Sequence, residues 1–196
     1  MLRIVTYPHP ALRYESRPVT QIDGRLVAAV RAMFDLMYEA HGIGLAANQV
    51  AIPLRFFVLN LTADPEQRDQ EQVFINPEVV KRHSTEEFEE GCLSFPSLYA
   101  KVRRPKRVKV RAYDLEGNDL TIDADELYGR ALQHETDHLH GRLFVDLLEP
   151  GIKSNVGGKI RDIEQTFRDA QARGEYPNDD EIRRQLDAWP EFGPTA

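Results

Sequence analysis

The segment His134-Glu135-Thr136-Asp137-His138 constrains this chain more than any other. On an α-helix, residues four apart share a face, so both imidazoles can reach one metal ion. Glu135 lies beside them, where its carboxylate can reach a water on that ion. The segment therefore demands a helix, and the helix demands a scaffold that brings further groups to it. Leu127 and Ala131 precede His134 on the same face and predict apolar packing below the site. Read alone, two histidines and a glutamate also suit the solvated face of a polar helix.

A catalytic ion typically takes three protein ligands and leaves one position for water. The pattern H-E-x-x-H-x-x-G-x-x-H would supply the third ligand locally. Gly141 fits that pattern, but Phe144 stands where its last histidine belongs. A downstream glutamate is another source: Glu149 lies close to the helix end, and Glu164 falls in a later predicted helix. The third source is Cys92, the only cysteine of the chain, in Glu90-Gly91-Cys92-Leu93-Ser94. A thiolate is a strong ligand for a borderline or soft divalent ion. A lone cysteine is otherwise a small buried hydrophobe. It cannot close an internal disulfide, which excludes a disulfide-stapled secreted scaffold.

A further segment, Gly42-Ile43-Gly44-Leu45-Ala46-Ala47-Asn48-Gln49, carries two glycines that permit close backbone approach and a glutamine amide able to polarise a carbonyl. By itself it reads as a helix C-cap followed by a turn.

The remainder of the chain sets the frame. Its 196 residues fit one domain with a real core, and 41% hydrophobic residues are too many for a disordered chain. The net charge of −7 argues against a dedicated nucleic-acid binder. Met1 to Tyr7, cut short by Pro8 and Pro10, is too brief for a signal peptide, and no run is long enough to span a bilayer. A cytoplasmic location with no membrane contact is the expectation.

Asp23 can cap a helix over 24–40, with Leu26, Val27, Val30, Met33, Phe34 and Met37 on its buried face. Residues 55–59 read as a buried strand and 62–72 as a loop. Shorter β-like runs follow at 73–76, 79–83, 86–90, 107–113 and 119–123. Asp123 or Asp125 can cap the His-bearing helix, which Gly141 ends. A third helix is predicted at 158–173, and the last twenty residues read as a loosely attached tail. The class is α+β: mostly antiparallel strands around a central HExxH helix, with an N-terminal and a C-terminal helix. Residues 101–111 hold seven basic and no acidic side chains. They read as a strand with Val108 and Val110 inward, or as a basic rim attracting a peptide carboxylate or ribosomal RNA.

Taken together, G-x-G-L-A-A-x-Q at 42–49, E-G-C-L-S at 90–94 and Q-H-E-x-D-H-L at 133–139 resemble the peptide deformylase family, in the family's order. The resemblance spans about residues 2–150 and implies a single catalytic domain over 1–150, followed by a C-terminal helical extension and tail over 151–196. It implies that Cys92, His134 and His138 hold one divalent metal, natively Fe2+, with Zn2+, Ni2+ or Co2+ as possible substitutes. It further implies hydrolysis of the N-formyl group from the formylmethionine of newly made peptides. A metal-bound water would attack the formyl carbon, with Glu135 as general base. The side-chain amide of Gln49 and the backbone N–H of Leu93 would serve the formyl oxygen. The methionine pocket is expected from Ile43, Gly44, Leu127 and Ala131.

Two positions depart from that expectation. Tyr99 stands where many members have an arginine that orients the peptide, a contact Lys101 or Arg103 would then have to supply. Arg130, beside the expected apolar wall, either points to solvent or narrows the pocket. Residues 151–196 hold seven basic and nine acidic side chains, which gives poor support to ribosome docking through a basic C-terminal helix. The basic stretch at 101–111 leaves transient ribosome contact open. Two other readings use the same residues. A metalloendopeptidase would not need Cys92, and a closed, non-catalytic metal site would give Glu135 and Gln49 no role.

Overall fold

The computed structural model describes residues 2–189. Helix α1 (Gly24–Glu39) begins where the Asp23 carboxylate accepts the backbone N–H groups of Arg25 and Leu26, both at 2.9 Å. Its buried face is Leu26, Val30, Met33, Phe34, Met37 and Tyr38.

Seven strands follow: β1 (Gly44–Ala46), β2 (Phe56–Leu59), β3 (Gln72–His83), β4 (Glu86–Cys92), β5 (Phe95–Arg104), β6 (Arg107–Tyr113) and β7 (Asp119–Asp125). Five form an antiparallel sheet in the order β1-β2-β3-β6-β7, and β4 and β5 form a separate antiparallel hairpin. Because successive strand side chains face opposite ways, β2 feeds two cores. Phe56 and Val58 join α1 and Ile75 on one face. Phe57 and Leu59 join Phe74, Val108 and Val110 on the other. That second face is covered by α2 (Glu126–Leu139), through Ala131, Leu132 and Leu139. The helix carrying the His-Glu-His segment thus lies across the sheet with its apolar side down.

Gly141 follows α2 with φ +64°, and a Cβ there would come within 2.6 Å of the Arg13 carbonyl oxygen. Both constraints require glycine where the sequence stops the helix.

A third core lies between the β4–β5 hairpin and the C-terminal helices α3 (Pro150–Ala172) and α4 (Asp179–Asp187). It contains Phe95, Leu98, Ala100, Val102, Phe144, Ile182 and Leu186.

Several boundaries differ from expectation. The runs at 73–76 and 79–83 are one strand, irregular near Asn76, whose φ is +51°. The Asn76 side chain accepts the Val19 N–H at 2.9 Å and donates to the Val19 oxygen at 2.8 Å, which pins the kink. The basic run is not one strand; it is split between β5 and β6, with Pro105 between them. Residues 44–46, read as part of a turn, form the edge strand β1. Helix α3 starts eight residues early, at Pro150. Its fixed φ suits the first helical position, and Ile152, Val156, Ile160 and Ile163 carry one packed face through Gly157 and Gly158. The tail expected after 176 contains α4, capped by the Asn178 side chain on the Glu181 N–H at 2.9 Å. Its two buried residues, Ile182 and Leu186, are too few to give a clear helical period in sequence. Residues 190–196 of that tail lie outside the described residues.

His9 joins the N-terminal segment to this third core. It is 5% exposed, its Nδ1 accepts the Ala11 N–H, and its ring lies edge-on to Phe167 and Tyr176. Burial, reinforced by the Arg3 charge, lowers its pKa from 6.5 to about 4. The unfolded chain therefore binds this proton first. The contribution is fully present above pH 6.5 and is lost as pH falls through 4. Between those limits the loss is about 3 kcal/mol. Urea unfolding at a series of pH values should show it, and the His9→Gln variant should lack that part of the acid sensitivity.

Candidate metal centre

Helix α2 and the end of β4 meet at one point. The ligand atoms of Cys92, His134 and His138 all lie within 4.8 Å of one another, and Cys92 Sγ is 3.3 Å from His138 Nε2. Both histidines are buried, on the side of α2 that meets β4. Cys92 sits where the β4–β5 pairing slips from Gly91 opposite Tyr99 to Cys92 opposite Phe95, a tight reversal through Leu93 and Ser94.

The nitrogen chemistry suits a cation. His134 Nδ1 is 3.0 Å from Glu90 Oε2, which leaves Nε2 as its free ring nitrogen. Burial alone would lower the pKa of His134. Cys92 and Glu90 outweigh that effect and push it up to about 10, so the surroundings favour positive charge at this ring. His138 is shifted the opposite way by burial and by the His134 charge, which keeps its ring neutral with one nitrogen lone pair available.

Glu90 is the hub behind Cys92 and His134. Its carboxylate accepts from Arg104 Nε at 2.6 Å, Arg104 Nη2 at 3.1 Å and Arg130 Nη1 at 2.7 Å. Burial would raise its pKa, but His134 and Arg104 overcome that and hold it at about 2. Arg104 also donates to Asp137 Oδ2 at 2.6 Å, so it ties β5 to the helix between the two histidines. All of these groups except Asp137 are nearly fully buried.

Glu135 is buried against β1. A Cβ at Gly44 would lie 2.6 Å from Glu135 Oε1, so the glycine makes room for the carboxylate. Burial raises its pKa to about 7, against the lowering charges of His134 and Arg104. Its Oε2 is buried and has no partner within the protein.

Gln49 lies on a 3-10 turn, Ala47–Val50, directly after β1. Its Oε1 accepts the Ala46 N–H at 2.8 Å, which aims Nε2 at Ser94 Oγ (3.1 Å) and Cys92 Sγ (3.5 Å). The neighbouring Asn48 donates its side-chain amide to the His138 carbonyl and so joins the turn to α2.

One cavity of about 700 Å³ opens onto these groups. Its walls include Ile43, Gly44, Leu127 and Ala131, and also Gln49, Cys92, Leu93, His134 and Glu135. Of the expected metal, catalytic and pocket residues, all but His138 line this cavity, and His138 lies against Cys92. Leu127 is half exposed at the mouth. Tyr99 is 64% exposed, and its ring lies against Gly91. Neither Lys101 nor Arg103 lines the cavity; Lys101 instead reaches Glu87 at 3.5 Å. Arg130 is not directed to solvent: it is buried on Glu90 and the Val102 carbonyl, beneath the ring of Phe88.

Ser94, Arg104 and the hub role of Glu90 were not anticipated. A signal for Arg104 exists in sequence. It shares the inward register of Val102, so alternation alone would bury it.

These features can be set beside known proteins. The family model described as polypeptide deformylase matches residues 1–153. The peptide deformylase of Rhodopirellula baltica is 38% identical over 189 residues, covering 96% of this chain and 93% of that protein. The peptide deformylase of Acinetobacter baumannii is 43% identical over 164 residues, covering 83% and 92%. Among solved structures, the Plasmodium falciparum peptide deformylase superposes with a TM-score of 0.82 at 40% identity, covering 87% of this chain and 98% of that one. Peptide deformylase 1B of Arabidopsis thaliana gives a TM-score of 0.83 at 37% identity, covering 87% and 94%. A match over most of the chain in sequence, joined to the same α+β architecture, means that this chain belongs to the polypeptide deformylase family.

Proposed function

We propose that this chain removes the N-formyl group from the formylmethionine of newly made peptides and releases formate. The observation that carries this reading is the convergence of Cys92, His134 and His138 on one point, at a cavity whose walls include Cys92, His134, Glu135 and Gln49.

The residues fit a divalent ion. One sulfur and two imidazole nitrogens form a three-donor set within 4.8 Å, and the buried Glu135 Oε2 next to them lacks any protein partner. A divalent ion held there would supply a Lewis acid that acidifies water and polarises the formyl oxygen. The family resemblance makes Fe2+ the expected native ion, and a thiolate with two imidazoles would also accept Zn2+, Ni2+ or Co2+.

Glu135 takes the proton of the attacking water. Its pKa of about 7 suits a group that must accept a proton and give it back near neutral pH. It returns the proton to the leaving amine, which frees the peptide N-terminus. Gln49 Nε2, held in place through its own oxygen, donates to the formyl oxygen as charge develops there, together with the backbone N–H of Leu93. Ile43, Gly44, Leu127 and Ala131 receive the methionine side chain. In this reading residues 1–150 form the catalytic unit and 151–196 an extension. The proposed setting is the cytoplasm, where a reducing environment protects the thiol ligand. No helix of the described residues is long and apolar enough to cross a membrane.

The decisive assay is formate release from formyl-Met peptides by protein prepared anaerobically with its metal measured. Metal-loaded protein that released none would end this reading. Glu135→Gln should keep the metal and lose a factor of ~10²–10⁴ in rate. Cys92→Ala should lose both metal and activity; retention of both would favour a metalloendopeptidase instead. Glu90→Ala should leave buried Arg130 without its carboxylate partner and Arg104 with Asp137 alone. Urea unfolding should report a loss of ~3–5 kcal/mol, and metal titration a ~10–100-fold weaker site.

A further inference from the structure

The N-terminal segment runs between the candidate site and the C-terminal helices. On its inner side, the Val5 N–H donates to the Gln49 carbonyl at 2.8 Å, and the Tyr7 N–H donates to the Ser94 carbonyl at 3.0 Å. In extended backbone, N–H groups two residues apart point to the same edge, so one short segment can hold both carbonyls. Gln49 and Ser94 are the two residues whose side chains meet at 3.1 Å beside Cys92. The Tyr7 ring also stacks on Phe95, one residue beyond Ser94.

On its outer side, the same segment is gripped at both ends. The Arg3 guanidinium lies 3.9 Å from the centre of the Tyr176 ring and donates to the Glu175 carbonyl at 3.1 Å. The His9 ring meets the Tyr176 ring edge-on at 5.7 Å. Phe167 of α3 backs Tyr176, with ring centres 5.0 Å apart. Tyr176 therefore touches both ends of a segment whose middle holds Gln49 and Ser94.

We infer that Tyr176 is a positioning residue for Gln49: by clamping Arg3 and His9, it holds residues 5–7 against the Gln49 and Ser94 carbonyls and so fixes where the Gln49 amide points. The clamp uses the ring of Tyr176, and the contacts above do not involve its hydroxyl. This inference deepens the deformylase reading and rests on it for its kinetic consequence alone; the structural consequence stands separately.

Two measurements on the full chain test it. The first is the side-chain amide resonance of Gln49, identified by its disappearance in Gln49→Ala. It should shift in Tyr176→Ala and in the surface variant Arg3→Met, and stay in place in Tyr176→Phe. The second is kinetic. Removing an oxyanion donor costs ~10²–10³ in rate, and displacing it should cost part of that, about tenfold in kcat with KM and metal content unchanged. Tyr176→Phe should restore the rate. Tyr176→Ala should add nothing to Gln49→Ala, because both act through one group. An unmoved Gln49 resonance in folded Tyr176→Ala and Arg3→Met would overturn the inference, as would fully additive losses in the double variant. Absence of formate release from the parent would instead overturn the deformylase reading, and the resonance would still decide the clamp.

Discussion

The site depends on one buried carboxylate. Glu90 faces Arg104, Arg130 and His134, and each of these belongs to an element that must be correctly placed for the charges to balance. Taking a carboxylate and two guanidinium groups out of water is costly, and the cost is recovered only when every partner is in position. The network is therefore close to all-or-none. It fixes β4, β5 and α2 relative to one another in a single step. Cys92 is two residues along from Glu90, and His134 is held directly by Glu90. The spacing of thiol and imidazole is thus set by charge pairing, with the apolar cores supplying the stability that allows it.

The most local features were the most legible in sequence. The His134–His138 spacing, the Asp23 cap and the apolar face of α1 depend on neighbours within a few turns and stand where expected, except that Val27 is only half-buried and Tyr38 completes the face. The third member of the candidate donor set is less legible, because Cys92 and His138 are brought together only by the tertiary fold. The motif order supplied what spacing could not. Arg104, Ser94 and Tyr176 were invisible for a related reason. Each acts through contacts with residues far away in the chain, and their types are ordinary on a surface strand, in a turn or near a chain end. The helix α4 escaped notice because its stability comes from docking two side chains, Ile182 and Leu186, on the N-terminal turn and not from a strong helical period.

The basic stretch at 101–111 shows how composition and geometry diverge. Lys101 pairs with Glu87, Arg104 with Glu90 and Asp137, and Arg107 and Lys109 with Asp123. The strand β7 lays Asp123 and Asp125 directly opposite Lys109 and Arg107. Exposed pairs of this kind add little stability, but they cancel each other's field. Four of the seven like charges are thus paired, Arg104 inside the protein and the other three at its surface, and the reading as a solvated strand face accounts for Arg107 and Lys109 without any anionic ligand.

With the nearby cations paired off, the field inside the cavity is set by what remains there. Glu135 and Cys92 border the cavity directly, and Arg130 spends its charge on Glu90. In this poorly solvated wall Cys92 and Glu90 favour positive charge at His134, while burial and the His134 charge keep His138 neutral. A divalent ion suits this wall better than a proton, because it serves the sulfur and both rings together. Burial makes the charged form of Glu135 costly, the charges of His134 and Arg104 favour it, and the balance falls near neutrality.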